Sequence, residues 1–497
     1  MFCRHDWSMR FVHGVPENKS GAAPTGSGSV VDPKYHHTMP LVLSCVATFL
    51  LIAYTTIVTV AVPTVAEDLG VGFGVLQWVI DVYTIALAAL LVPIGSLSDR
   101  VDRRVLLATG FGLFAMSSLM CAAATDATVL TLGRCAQGIA AAMMFATTLP
   151  LLEASYRGRA RAVAFSIWGA VSGLAAAAGN VIGGLLSVFG WRAMFVMAVP
   201  VTSVAAVVSL RMLPRQVVHQ PRPVDRWGMV LLSVGVGTLV VTALLLADGA
   251  PPWQITMGTV LCIISVVWFV VHERRAGTPV FPASMVTRPG FVAAVLVAVV
   301  YYCASFGPLP VLSQWLQEEA GRTAVGTAAI LSIQPILFFA VSAVFGPRLG
   351  RVTRRIPFMG GLVLCGVGCA AFLLVVVVPG WPALLPAMML TGVGAGMISP
   401  VLPAAAMADM PPDQTGVAST AMNAARQLGI SIGVAACAWT VRVTREAGHG
   451  WGVGVSATGL AAGLLCFAAA GLVGWILRRR SDDSVGFLPG EQVAPEQ

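Results

Sequence analysis

One carboxylate stands apart from the other acidic residues of this 497-residue chain. Asp81 lies inside the apolar run near 75–96, about two turns from its end at the roughly 1.5 Å rise per residue of a helix. Its neighbours in type fall in polar stretches or at run ends. Glu67, Asp68, Asp126, Asp248, Glu318 and Glu319 lie on one side; Asp99, Asp102, Asp225, Glu273 and Asp413 lie on the other, with Glu153 and Asp409 at helix ends. An ionisable group at such depth costs roughly 2.5–3.5 kcal/mol on insertion scales, so it is a functional candidate by default. A carboxyl there can trade a proton for a cationic substrate. Gln77 and Thr84, at i−4 and i+3, share its face, and Trp78 one turn away is a candidate wall. Tyr54 could donate a hydrogen bond to Asp81 or stack on a cation, or simply pack. The plainer alternative is a permanent ion pair between Asp81 and Arg134, which counting from the helix starts puts at nearly the same depth. Arg134 and Arg426 both need a partner or water at that depth. For Arg426 the simpler account is structural, capping carbonyls or bridging helices.

A second constellation is a loop. Gly95 to Arg104 reads GSLSDRVDRR between two apolar runs, and a weaker copy, GPRLGRVTRR, occupies Gly346 to Arg355. A charged loop repeated once in two hydrophobic halves is the pattern of a duplicated transporter. Gly95 permits close backbone approach, and Asp99 can pair with a basic residue or a helix N-terminus. Arg100, Arg103 and Arg104 can latch the bundles together or hold anionic lipid, and some also act as retained positive charge. Gly169, Gly173, Gly179, Gly183 and Gly184 set small residues at spacings near four, which suits tight helix contact.

These residues need membrane helices to position them. The chain is 57% hydrophobic and 10% charged, whereas a soluble domain carries about 25% charge. Spans of roughly 20 apolar residues fall near 40–62, 75–96, 104–124, 127–151, 162–187, 193–212, 228–247, 254–271, 291–312, 324–345, 357–379, 382–407, 416–440 and 453–477. The fold expected is all-α and polytopic, with 14 transmembrane helices: two six-helix bundles plus two inserted helices. The divisions are a disordered cytosolic tail over 1–38, a bundle over 39–213, a linker with the two extra helices over 214–289, a bundle over 290–477 and a tail over 478–497. With a cytosolic N-terminus, 24 of the 30 basic residues fall in the tails and inner loops, the exceptions being Arg134, Arg192, Arg322, Arg426, Arg442 and Arg445. Both termini are therefore expected inside the cell membrane.

Composition also excludes. The only lysines are Lys19 and Lys34, both in the N-terminal tail, and no GxxxxGK[ST] occurs. ATP hydrolysis and lysine Schiff-base chemistry are not expected. Most of the 10 cysteines sit in apolar runs and none forms a CxxC pair, so no metal site is expected. The net charge of +8 lies in loops and tails, which argues against a nucleic-acid partner.

GSLSDRVDRR resembles the signature loop of the major facilitator superfamily, and fourteen spans resemble its drug:proton antiporter branch. Arg134-Cys135-Ala136-Gln137-Gly138 is similar to an RxxQG motif in the fourth span. Gly179-Asn180-Val181-Ile182-Gly183-Gly184 is similar to GPxxGG in the fifth, with Asn180 where the family has proline. Trp191-Arg192 with Phe195, Trp78 to Tyr83, and Arg426-Gln427-Leu428-Gly429 resemble further family patterns. Where the branch carries an aspartate in its first span, this chain has Tyr54. The resemblance implies that Arg134, with Gln137 beside it, controls proton relay. It implies that the fifth-span motif limits proton leak and sets the direction of antiport.

The expectation is a non-enzymatic exporter: a secondary active transporter of amphipathic drug-like or antibiotic compounds, by proton antiport with alternating access. It would need a lipid bilayer, protons and a small-molecule substrate, no cofactor beyond the proton gradient, and no second copy of itself. The alternatives are a dedicated natural-product exporter, a proton-uncoupled facilitator, and a non-transporting sensor or scaffold.

Overall fold

The computed structural model describes residues 38–215, 225–277, 279–281, 283–350, 352–378, 380–408, 410–411 and 414–478. The expected tails lie almost wholly outside these residues. So do the side chains of Gln77 and Asn180, and Arg351 of the second loop copy. Helices account for the regular structure, and no strand occurs among the described residues.

The first six helices are α1 (Met39–Leu69), α2 (Phe73–Ser98), α3 (Arg103–Ala122), α4 (Ala127–Ser155), α5 (Gly158–Ser187) and α6 (Trp191–Met212). Then come α7 (Arg226–Asp248) and α8 (Pro252–Glu273). Local chemistry sets several ends. Gly70, at φ 62°, closes α1 in the left-handed region that glycine enters without strain. The Asp126 side chain opens α4 by accepting from the N–H groups of Thr128 and Val129. The Asp102 carboxylate accepts from Arg104 N–H at the start of α3.

The later spans are broken more often. After α9 (Ala283–Val286), α10 (Pro289–Phe306) is followed by α11 (Leu309–Glu318), and α12 (Ala324–Leu331) by α13 (Ile333–Leu349). Next come α14 (Arg355–Ala370) with α15 (Leu374–Val377), and α16 (Leu385–Ile398) with α17 (Leu402–Met407). The chain ends in α18 (Thr415–Glu446) and α19 (Trp451–Arg478). Pro308 stands at the α10–α11 break and Pro400 at the α16–α17 break, where a missing N–H cannot continue the ladder.

Among the described residues twelve helices are long and apolar enough to cross a membrane, against the fourteen expected. The two expected spans outside that count are nonetheless long helices, α5 with 30 residues and α18 with 32. Helix α5 contains positions that are not described. Helix α18 carries Ser419, Thr420, Asn423, Arg426 and Gln427, which lower its hydropathy because they face other helices instead of lipid.

Helices α1 to α6 pack among themselves, with α2 on α4, α1 on α5, and α3 on α4 and α6. A second group joins α14 to α16 and α19, α10 to α18, and α13 to α16. Two seams connect the groups, α5 against α13 and α2 against α18. The α7–α8 pair lies outside: only 11% and 6% of their apolar windows are buried, against 78% for α4. Even so, α7 touches both α2 and α18.

Candidate functional site

The repeated loop sits at one end of the helices, where it crosses between the two groups. Asp99 caps the C-terminus of α2, and its carboxylate accepts from the N–H of Gly416 at 2.9 Å and of Val417 at 3.0 Å. These N–H groups open α18, so the helix dipole favours the anion. Arg103 donates to the same carboxylate at 2.9 Å, to Thr415 Oγ1 at 3.3 Å and to the Pro150 carbonyl at 3.2 Å. Burial pushes the Asp99 carboxyl above its ordinary range, against the pull of Arg103 and of the two N–H groups. Room for this contact comes from glycine: a Cβ at Gly95 would overlap the Thr420 side chain, and one at Gly416 would overlap the Asp99 carboxylate. Arg104 takes a different path, donating to the Leu210 carbonyl at the end of α6 within its own group. Arg100 is half-buried beside it.

The second loop copy meets α5 in the same manner but without an acid. A Cβ at Gly346 would overlap Ser166, just as one at Gly95 would overlap Thr420. Gly350, aligned with Asp99, faces Ala162, aligned with Gly416. The α5–α13 seam is closed by Phe338 against Gly173 and by Ser342 donating to the Ser166 carbonyl at 3.4 Å.

Deeper within the first group, Arg134 is fully buried. It donates to Gln137 Oε1 at 2.9 Å, to the Val79 carbonyl at 3.3 Å and to the Tyr54 carbonyl at 3.4 Å, and it stands 4.3 Å from the centre of the Tyr83 ring. Gln137 passes the network on to Ser118 at 2.8 Å. Two carbonyls, an amide oxygen and a ring thus hold this guanidinium.

Asp81 is buried, at 8% exposure, on α2. Trp78, weighed as a wall one turn away, is 48% exposed. Tyr54 is also differently used. Its single hydroxyl proton goes to the Met194 carbonyl at 2.5 Å, and its ring packs edge-on to Phe114 at 5.2 Å. That corrects the expectation of a hydrogen bond from Tyr54 to Asp81 and of an open face for a cation, because the residue is fully enclosed.

In α5, a Cβ at Gly179 would crowd the Ala53 backbone of α1, so this glycine permits close helix approach. Gly183 is buried in the same helix and Gly184 is exposed. The third deep residue, Arg426, is gathered by several helices. It donates to Asn423 Oδ1 at 3.2 Å and to the Tyr302 hydroxyl, with the rings of Tyr302, Trp168 and Phe145 around it at 4.6, 5.3 and 5.6 Å. Sequence reasoning missed these aromatic partners, whose residue types carry no signal beyond packing.

A bundle of membrane-length helices in two groups, with a charged loop repeated once in each, has the design of a secondary transporter. A sequence profile of the Major Facilitator Superfamily matches residues 44–434, and the chain belongs to that family. It is a transporter and not an enzyme. The chain is 27% identical to the methylenomycin A resistance protein of Streptomyces coelicolor, over 86% of this chain and 89% of that one. It is 31% identical to the puromycin resistance protein pur8 of Streptomyces alboniger, over 83% and 84%. It is 28% identical to the multidrug efflux pump LfrA of Mycolicibacterium smegmatis, over 76% of each chain. In fold it is similar to the human organic anion transporter MFSD10 (TETRAN), with TM-score 0.64 at 15% identity over 89% of this chain and 100% of that one.

Proposed function

We propose that this chain exports amphipathic drug-like or antibiotic compounds across the cell membrane by alternating access, driven by proton entry. Residues 39–213 and 290–477 act as two six-helix bundles, with α7 and α8 inserted between them. Counting α5 and α18 with the twelve apolar helices gives fourteen spans. The weight of arginine around the repeated loop supports a cytosolic position for that end and for both termini. The transporter works as a monomer and needs no cofactor beyond the proton gradient.

The observation that carries this reading is the Asp99 contact with the α18 N-terminus. It ties the two groups at one end through a few polar bonds, the kind of joint that can be made and broken in each cycle. Drug export is supported by relatives named for resistance to methylenomycin A and puromycin. Asp81, buried in α2, is the candidate proton carrier, with the Arg134–Gln137 network behind it on α4 and the glycines of α5 limiting leak. A proton-uncoupled facilitator is the second reading, favoured by Tyr54: no first-span acid stands at that position, and its hydroxyl is bound to a backbone carbonyl.

The test is accumulation of a dye and antibiotic panel in an efflux-deficient host, with and without an uncoupler. Coupled export predicts uncoupler-sensitive efflux that Asp81→Asn removes. Efflux insensitive to both changes would establish the facilitator instead, and no flux for any compound would refute export.

A further inference from the structure

The cluster around Arg426 lies where the two helix groups meet. Arg426 and Asn423 come from α18 and Tyr302 from α10, while Trp168 and Phe145 come from α5 and α4 of the other group. Arg426 is only 4% exposed, and no carboxylate among the described residues forms an ion pair with it. Its charge is met by one amide oxygen, one hydroxyl and three ring faces. An amide oxygen, a hydroxyl and ring faces offer only partial negative charge, and none of them carries a full countercharge. A buried arginine so surrounded is a site short of one negative charge.

A second observation is independent of the charge. Asn423 Nδ2, Trp168 Nε1 and Ser419 Oγ are buried, and none has a hydrogen-bond partner among the described residues. Asn423 is the residue whose oxygen accepts from Arg426, and Ser419 lies one turn before it on α18. The Trp168 ring faces the guanidinium. Two of these atoms are donors only and the third can donate. Packed protein leaves few such groups unsatisfied. A purely structural bridge would have used them. Three unused groups beside an uncompensated cation describe a surface complementary to an acceptor-rich anion with an apolar body.

We propose that Arg426, Asn423, Ser419 and Trp168 form a substrate subsite for an aromatic or alicyclic acid, with Arg426 taking a carboxylate or phenolate oxygen and the Trp168 and Phe145 rings taking its apolar body. The subsite draws on both helix groups, so it can open and close as they rock. This rests on the export reading above and narrows its substrate class from amphipathic compounds in general to those bearing an acidic group. It also separates two duties: the carboxyl of Asp81 lies on α2, and the cation that meets the substrate lies on α18.

The test uses the full chain in lipid nanodiscs and three probes of one shape: 2-naphthoate, 2-naphthamide and 2-naphthylmethylammonium. Binding is read from tryptophan fluorescence and from the shift in melting temperature. The expected order is naphthoate tightest and the ammonium weakest. The preference for naphthoate should fall about tenfold or more in Arg426→Gln, the scale of one hydrogen bond to a charged group. Because that variant removes a buried network, Asn423→Asp serves beside it. Its carboxylate would satisfy Arg426 from within, so the protein should melt no lower than the parent and yet lose the naphthoate preference. Trp168→Phe, which keeps the ring and removes one donor, should weaken naphthoate several-fold. Equal binding of the three probes, or a preference unchanged in folded Asn423→Asp, would overturn the subsite. Naphthoate binding without efflux of any compound would keep the subsite and remove the export reading. Efflux of cations that persists in Arg426→Gln with no naphthoate preference in the parent would do the reverse.

Discussion

Asp99 and Gly416 are 317 residues apart in sequence, yet the carboxylate of one accepts the backbone N–H of the other at 2.9 Å. The bond joins the end of α2 to the beginning of α18, across the boundary between the two helix groups. Gly416 is needed for more than its N–H, since any Cβ there would occupy the space of the carboxylate. The joint is therefore specified by shape as well as by charge.

Shape can be tested separately from charge at the neighbouring glycine. Gly95→Ala puts a Cβ into the Thr420 side chain and should slow efflux at unchanged expression. Thr420→Gly in the same protein removes the obstructing atoms and should restore most of the rate, less a helix-propensity cost of about 1 kcal/mol. Double-mutant rates no better than Gly95→Ala alone would place the defect elsewhere.

The charge at this joint gives a pH dependence. Burial raises the Asp99 carboxyl when the seam is closed, whereas an Asp99 released to water returns to its ordinary value. The closed form thus binds the proton more tightly. Its added stability is fully present in acid and is lost as pH rises through the raised value. Spin labels at Val105 and Ile356, both exposed, should report a larger closed fraction as the medium is acidified. Asp99→Asn should flatten that dependence, and a closed fraction that grows with rising pH would contradict the assignment.

Arg134→Lys keeps a positive charge but cannot reach Gln137 and two carbonyls from one planar fork. The loss of hydrogen bonds to a charged group should lower stability by roughly 3 kcal/mol. Thermal unfolding in detergent measures this, and a melting temperature equal to the parent's would show that a point charge suffices.

Tyr54→Phe removes only the bond to the Met194 carbonyl and leaves the ring against Phe114. The expected effect is about 1 kcal/mol of stability, with the pH profile of efflux unmoved. A displaced profile would return Tyr54 to the proton pathway.

Much of this arrangement was legible because membrane helices declare themselves by length and hydropathy. The exceptions are instructive. Helix α18 escapes an apolar criterion through Asn423, Arg426 and Gln427, the residues that put it against other helices. Asp99 could be expected to seek a helix N-terminus, but Gly416 and Val417 look like any start of a small-residue run. Trp78, one turn from Asp81, is a wall candidate by spacing, yet it is 48% exposed, because spacing along one helix does not say which neighbours will cover a side chain. The rings around Arg426 come from three other helices besides its own, and nothing in an isolated Trp168 or Tyr302 distinguishes a cage from ordinary packing.

The duplicated loop has diverged at the position that makes the contact between the groups: aspartate in the first copy, Gly350 in the second. The α2–α18 contact holds an ionisable clasp, whereas the α5–α13 contact fits glycines against Ser166, Ala162 and Phe338. Acid or a neutralising substitution at Asp99 therefore acts on the α2–α18 contact, where the second copy has no acid to answer it. A shape twice inherited has become a door with a lock on one jamb and bare wood on the other.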